Sequence, residues 1–456
     1  MVVNALELLL KQKRFDLIFK YVFLAQQNEF AHNAYLENIR AFNNFYELNP
    51  SDGVPKNSAD DFVQSFNNLI QNIKDNGFKA DKGSIPIGKN GDITDGAHRL
   101  AASAYLGLDV ETVDDTDYDE LYDYRFFQQR QMNPDVMDFG ALEYVKLNKN
   151  AYIVNIHSVT DVTKDAEVEA VLNKYGFIFY KKQVDLTQNG YVNIKKLSYG
   201  FFWDRESWIG NVDNKFAGAR AHAKASMGKS PLRAFVFVCD DLEKVLLAKS
   251  EIRAIFDIGN YSVHINDYRE EAIWLAEIYF NKNSLFMINN RPLAFEDEEF
   301  DTCIESLKQL AKEHNIPLDN ICASGSSPLN VFGVRKSADL DFLCLSDNFD
   351  IQTEELSNHE DQLKYYPYPK AEIITNPIYH FYYHGLKFIS LDVLYQMKKN
   401  RAEKPKDIND CKRIRKIFTQ SKRDKMLSRL KKYKNTYKMV RSIIKPIYKT
   451  IKKLIN

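Results

Sequence analysis

Apolar residues over the first fifty positions recur at helical spacing, with Leu6, Leu8, Leu9 and Leu10 followed by Phe15, Leu17, Ile18, Tyr21 and Val22. Such spacing puts a buried stripe on amphipathic helices. The polar run Asn49-Pro50-Ser51-Asp52-Gly53 breaks the pattern. A further helix is predicted over about 58–76, with Phe62, Phe66, Leu69, Ile70 and Ile73 on its apolar side. Short β-like pieces follow at 84–87 and 92–94, and then a helical run at 100–106. Near residue 150 the texture changes to continuous apolar runs of strand length at 152–156, 177–180 and 234–238, with helical stretches between them. Another helix is predicted at about 296–314, and no internal repeat is visible. The fold class expected is α+β and multidomain: a helical segment 1–50, mixed segments 51–150, 151–285 and 286–420, and a tail 421–456.

Composition changes this picture little. At 456 residues the length suits about three domains, each able to bury a core. Sixty-two basic and 62 acidic residues cancel, so the whole molecule is not a generic nucleic-acid binder. The zero hides an asymmetry, with acids in the middle and bases crowded at the C-terminal end. Cys239, Cys303, Cys322, Cys344 and Cys411 are scattered without Cys-x-x-Cys spacing. That argues for a reducing cytoplasm and against a zinc site or disulfide framework. Residues 1–20 are interrupted by charges and read as neither signal peptide nor spanning segment.

The strongest chemical pattern is Ala323-Ser324-Gly325-Ser326-Ser327 followed by Ala338-Asp339-Leu340-Asp341-Phe342-Leu343. Residues i and i+2 of a strand share a face, so Asp339 and Asp341 would project together. Like charges that close need a cation between them, and Mg²⁺ takes carboxylates together with substrate phosphates. The Gly-Ser turn offers N–H groups and hydroxyls to those phosphates. The pattern resembles the polymerase-β nucleotidyltransferase superfamily over about 286–420, including the basic spacer Arg335-Lys336-Ser337. The resemblance implies Gly325, Ser326 and Ser327 as a phosphate cradle, Arg335 or Lys336 as a neutralising charge, and Asp339 and Asp341 as ligands to Mg²⁺ and an NTP. A third acid is expected from a later strand, for which Glu372 in Lys370-Ala371-Glu372-Ile373-Ile374 is the candidate. Asp392, just before a helical run, reads as a cap. Lys404 to Asp410 resembles a Lys-Asp-x-x-Asp helix start found in the same superfamily.

A second box, Asp95-Gly96-Ala97-His98-Arg99, lies between short strands and a helix. Glycine at a strand-to-helix turn leaves free N–H groups, and Arg99 and His98 add charge-assisted donors. The box is similar to that of the ParB/sulfiredoxin-like fold, whose members include CTP-binding partition proteins and a free-serine kinase. Resemblance to the kinase type implies phosphate binding by Gly96, His98 and Arg99, with Asp95 as base or metal ligand. Sulfiredoxin chemistry needs a cysteine that the box lacks, and the acidic run 114–120 would repel a phosphate backbone.

A third constellation is Ser262-Val263-His264-Ile265-Asn266-Asp267. The order of elements over 151–285 resembles nucleoside-diphosphate kinase, a ferredoxin-like fold. The resemblance implies that His264 is transiently phosphorylated and that Arg253 holds the transferring phosphate. Imidazole is a competent nucleophile near neutral pH. The chain departs from that family in three places. Ile156-His157-Ser158 stands for Lys-Pro-Asp, Leu275 stands where an orienting acid is expected with Glu277 nearby, and Ile265-Asn266-Asp267 stands for Gly-Ser-Asp.

Residues 421–456 are rich in Lys and Arg, with Asp424 the only acid and apolar residues at helical spacing around Pro446. A basic amphipathic tail reads as an anionic-membrane contact or a helix packed on the body. Taken together, these readings make the chain a cytoplasmic enzyme, peripheral to the inner membrane face if the tail binds lipid. Its expected activity is Mg²⁺-dependent transfer of a nucleotidyl group from CTP or ATP to a small phosphorylated or hydroxyl acceptor, a sugar or polyol, as in surface-polysaccharide synthesis. A kinase-like module would sit beside it, and nucleic acid is not an expected partner. Two readings from other classes stay open: a CTP-binding regulator, or a membrane scaffold with degenerate domains.

Overall fold

The computed structural model describes residues 1–48, 54–79, 83–115, 121–202, 207–402 and 405–423. The basic tail expectation falls on 424–456 almost entirely, outside the described residues. Among those residues the protein is a mixed α+β, multidomain fold, and no helix is long and apolar enough to cross a membrane. Two compact units form, one from 1–363 with 368–390 and one from 364–367 with residues from 391 on.

The larger unit begins with β1 (Val2–Asn4), α1 (Ala5–Leu10), α2 (Asp16–Gln26), α3 (Glu29–Asn43), α4 (Ala59–Asn76), β2 (Ile85–Ile87), α5 (Ala97–Tyr105) and β3 (Asp109–Asp114). The strands make a three-stranded sheet ordered β1-β3-β2, with β1 antiparallel and β2 parallel to β3. Asn4, Asn28 and Ser58 start α1, α3 and α4 by accepting backbone N–H bonds from Glu7, Ala31 and Asp61. One core joins Leu9, Leu17, Tyr35, Phe62, Phe66, Ile85, Leu100 and Val110, so the early helices and the segment after residue 58 bury a common interior. The piece expected as a strand at 92–94 makes only an isolated bridge, Ile93 to Ile87.

Next come α6 (Tyr124–Gln129), α7 (Pro134–Leu147), β4 (Ala151–Ile156), α8 (Asp165–Tyr175), β5 (Phe177–Val184), α9 (Gln188–Phe202), α10 (Ala217–Ser226), β6 (Leu232–Val238), α11 (Leu242–Phe256), β7 (Val263–Ile265), α12 (Arg269–Tyr279) and α13 (Lys282–Asn290). Strands β5-β6-β4-β7 form an antiparallel sheet in that order. Phe235 faces α8, because Lys181 lies over its ring and pairs with Asp165 and Glu169 of that helix. Val154 is the cross-strand partner of Phe235, and Asn155 is that of His264. Alternation along β4 therefore puts Asn155 and His264 on the face opposite α8. Tyr144 of α7 stacks on Phe179, and α12 also covers the sheet.

The last part of this unit holds α14 (Glu298–Glu313), β8 (Ile321–Ala323), α15 (Ser327–Val331), β9 (Leu340–Cys344), β10 (Leu356–Asn358), α16 (Lys370–Thr375), β11 (His380–Tyr383) and β12 (Leu386–Ile389). The sheet runs β10-β9-β8-β12-β11, with β8 antiparallel to β9 and parallel to β12. A register row joins Tyr382, Lys387, Cys322 and Leu343, and the next joins Phe381, Phe388, Ala323 and Phe342. The aromatic row meets α14 through Phe300 on Phe388. Lys387 on the other face donates to the Ile374 carbonyl of α16.

The smaller unit contains α17 (Leu391–Arg401) and α18 (405–423). Lys398 bonds Asp407 at 3.3 Å and Asp410 at 3.0 Å, and Arg401 bonds Asp407 at 2.8 Å. The acids of the helix start noted in the sequence thus tie these two helices together.

Candidate functional site

Strand β8 leads into Ser324-Gly325-Ser326, and β9 runs back beside it carrying Asp341. Ser324 N donates to the Asp341 carbonyl at 2.7 Å, joining the turn to the acidic strand. Gly325 has φ +55°, a conformation that favours glycine, and its Cα faces the Asp341 carboxylate directly. Asp339 immediately precedes β9; it and Asp341 are both half-buried. Ser326 and Ser337 join hydroxyls at 2.9 Å, which closes the spacer onto the turn. Ser327 opens α15 with its hydroxyl buried and without a hydrogen bond.

Two expectations at this site need correction. Residues 370–375 form helix α16, not a strand: Pro369 precedes the first turn, and Ile373 and Ile374 are buried together. Glu372 accepts from Asn376 Nδ2 at 3.1 Å, and among the described residues no trio of acids, histidines or cysteines could hold a metal ion. Lys336 turns to Asp297 at 3.2 Å, where Asn330 Nδ2 also donates at 2.8 Å. Arg335 Nη1 donates to the neighbouring Lys336 carbonyl at 3.1 Å. Asp392, expected as a cap, sits within the first turn of α17, two residues past the cap position at Ser390. The pair Asp339 and Asp341 with the Gly325 turn nevertheless fits Mg²⁺, which is commonly held by one or two carboxylates with phosphate and water oxygens completing its shell.

At the second box, Gly96 caps α5 with φ +77°, and a side chain there would strike Ile85. Arg99 donates to the Gly83 carbonyl and lies 3.6 Å from the exposed Asp95. His98 turns inward: its Nε2 is 3.1 Å from Tyr35 Oη and its ring packs edge-on against Phe66. Burial, with Lys20 close by, drives its pKa well below the usual range, so it is a neutral imidazole. Beneath it lies a buried triad that sequence reasoning missed. Arg14 grips Asp16 through Nε and Nη2 at 3.0 and 2.9 Å, and Lys20 Nζ bonds Asp16 at 2.8 Å and Asn38 Oδ1 at 3.4 Å. The i,i+4 spacing of Asp16 and Lys20 was the available signal.

At the third constellation, His264 Nε2 is 2.7 Å from Oε1 of Glu271, a fully buried acid at the start of α12. The acid beside the histidine is therefore Glu271; Leu275 and Glu277 lie further along the helix. Arg253 is on α11, which packs with α8 on the sheet face opposite His264, so the structure does not bring it to the histidine. Lys195 and His157, also missed, meet at 3.1 Å near this histidine. All five cysteines are free thiols; burial pushes that of Cys322 up to about 12.

No protein-family model, curated protein or solved structure matches this chain.

Proposed function

We propose that the protein is a Mg²⁺-dependent nucleotidyltransferase working at the Gly325 turn and the β9 acids. The observation that carries this reading is the direct apposition of Gly325 and Asp341, locked by the bond from Ser324 N to the Asp341 carbonyl. The turn and Asp341 thus form one local structure, with Asp339 two residues earlier in the chain. Asp339 and Asp341 would hold the ion, which supplies charge neutralisation to the triphosphate when bound. The Gly325-Ser326 backbone and the Ser326 hydroxyl orient the phosphates. An acceptor hydroxyl or phosphate oxygen attacks the α-phosphorus, its bond to the bridging oxygen breaks, and pyrophosphate leaves. The five-stranded sheet with β8 beside β9 supports the nucleotidyltransferase-fold reading. Sugar or polyol phosphates are the proposed acceptors, and CTP or ATP the proposed donors. Five free thiols support a reducing compartment.

The test mixes purified protein, each NTP, Mg²⁺ and candidate acceptors. Pyrophosphate release that disappears with Asp339→Ala and Asp341→Ala is the expected result. No release, or release untouched by those substitutions, ends the proposal.

A second reading is favoured by the 2.7 Å pair of His264 and Glu271. A buried acid beside the ring fixes the orientation of the imidazole, as a histidine acting in phosphoryl transfer requires. The second sheet's strand order β5-β6-β4-β7, with α8 and α11 as crossovers and α9 and α10 inserted between β5 and β6, supports a ferredoxin-like, nucleoside-diphosphate-kinase-like module. The Gly96 turn supports a ParB/sulfiredoxin-like module in the same way.

A further inference from the structure

Four bases and one acid converge on the β4–β7 side of the second sheet. His157 follows β4, Lys195 comes from α9, His222 from α10, His264 from β7 and Glu271 from α12. Lys195 Nζ lies 3.1 Å from His157 Nε2, and His222 Nδ1 lies 3.3 Å from Ser226 Oγ. Asn155 sits opposite His264 in the strand register. His157 Nδ1, Asn155 Oδ1 and Glu271 Oε2 are buried and make no hydrogen bond. Orphaned polar atoms are rare in native interiors and costly, and three of them on one cluster point to a polar occupant.

Charge gives the occupant its sign. Burial lowers Lys195 to about 7, with Glu271 opposing. Burial, then Lys195, His264, His222 and Arg233, hold His157 well below the usual range. Burial with Lys195 and His264 brings His222 to about 4. Arg233, the remaining cation, is matched by Asp165 at 3.0 Å and donates to Thr160. The phenols of Tyr191 and Tyr279 are pushed upward by burial and stay neutral. Burial is thus the main force against protonation at all three, with the neighbouring bases adding to it at His157 and His222, and an anion bound among them would favour their charged forms.

We propose that Lys195, His157 and His222, gathered beside His264, form a binding site for a dianionic phosphate group, free or carried by a nucleotide, and that the group enters together with protons. Lys195 takes up the first proton on binding. The Glu271 carboxylate at the edge opposes any anion, so the unprotonated cluster binds poorly and affinity rises as pH falls. The site is distinct from the β9 acids and does not require that His264 be phosphorylated.

The test is calorimetric titration of the full chain carrying Asp339→Ala and Asp341→Ala, which silences the β9 acids. ADP and sulfate, a permanent dianion, are titrated at pH 6.5 and 8.5 in buffers of different ionisation enthalpy. The expected result is binding with uptake of up to about one proton, weakening about tenfold at pH 8.5. Sulfate binding on its own marks a free oxyanion as the occupant, and ADP binding without it marks a phosphoester. Lys195→Met should cost about tenfold or more in affinity. Lys195→Arg should keep binding at pH 8.5 with its share of proton uptake gone, because guanidinium stays charged. Failure of both probes, binding without proton uptake, or binding unaltered in both Lys195 variants overturns the proposal.

Discussion

Gly325 and Asp341 are packed so closely that a Cβ on the glycine would fall 1.8 Å from Asp341 Oδ2. Its φ of +55° adds a second reason for glycine. Gly325→Ala must therefore displace the carboxylate or the turn. The expected loss is about 1–3 kcal/mol of stability together with near-complete loss of pyrophosphate release. Gly385→Ala is the control: its φ is +72° but nothing lies within 4 Å, so only the backbone strain is incurred. Thermal unfolding of both variants beside an activity assay separates the two effects. Equal activity in the two would refute the role given to the turn.

Glu277 gives a pH-dependent prediction. Burial raises its carboxyl from 4.5 to about 7, and its Oε2 makes no hydrogen bond. The folded state therefore keeps a proton that the unfolded chain has lost. This contribution is complete below pH 4.5, falls as pH rises toward 7, and is gone above. Glu277→Gln cannot titrate, so it should match the wild type near pH 4.5 and exceed its stability by about 2–3 kcal/mol at pH 8. Urea unfolding at both pH values measures the gap. A gap that stays flat or shrinks with rising pH contradicts the assignment.

The elements that sequence pattern revealed are those whose apolar run is long enough to speak for itself. Strands β4 and β6 are continuous apolar segments, and α4 and α14 carry clear helical stripes. Strand β3 is Asp-Val-Glu-Thr-Val-Asp, and β1 is three residues; both exist because they pair with each other. Ile373 and Ile374 suggested a strand, yet they are the buried side of a single helical turn lying on the sheet, so Glu372 leaves the expected position. Glu271 escaped notice because the turn at 266–268, which sets its reach to His264, has no periodicity. Lys195 stands in Ile194-Lys195-Lys196-Leu197, where a solvated lysine is the ordinary reading, and only the fold buries it.

Arg14, Asp16 and Lys20 are each at most 4% exposed, and Asp16 is the acid both cations bond, with Asn38 and the Ile93 carbonyl as further polar contacts. Asp16→Asn leaves two buried cations facing an amide. The expected cost is about 3–5 kcal/mol, as when one partner of a buried ion pair is removed. Burial already lowers the Lys20 pKa, and Asp16 is the group that holds it up. In the variant Lys20 should lose its proton more readily, so the deficit should shrink as pH rises toward 9. Replacing all three by Met, Leu and Met should recover much of the loss. Denaturant curves at pH 7 and 9 test this. A deficit that grows with pH, or a mild one below about 1 kcal/mol, would show the triad to be loosely solvated instead.

Glu271 and His264 make the last prediction. Oε1 of the acid lies 2.7 Å from the imidazole, and the carboxylate is fully buried. A carboxylate can only accept, so it selects the tautomer carrying the proton on Nε2 and leaves Nδ1 with its lone pair. In Glu271→Gln the amide can donate as well as accept, and the opposite tautomer becomes available at little cost in packing. If His264 accepts a phosphoryl group from an NTP, the wild type should form an acid-labile, base-stable phosphoenzyme. Glu271→Gln should form it about tenfold or more slowly, with thermal stability nearly unchanged. His264→Gln should not form it at all. Radiolabelling with γ-phosphate-labelled ATP followed by quenching in acid and in base reads all three. Label that survives His264→Gln, or a rate indifferent to Glu271→Gln, removes this histidine from phosphoryl transfer.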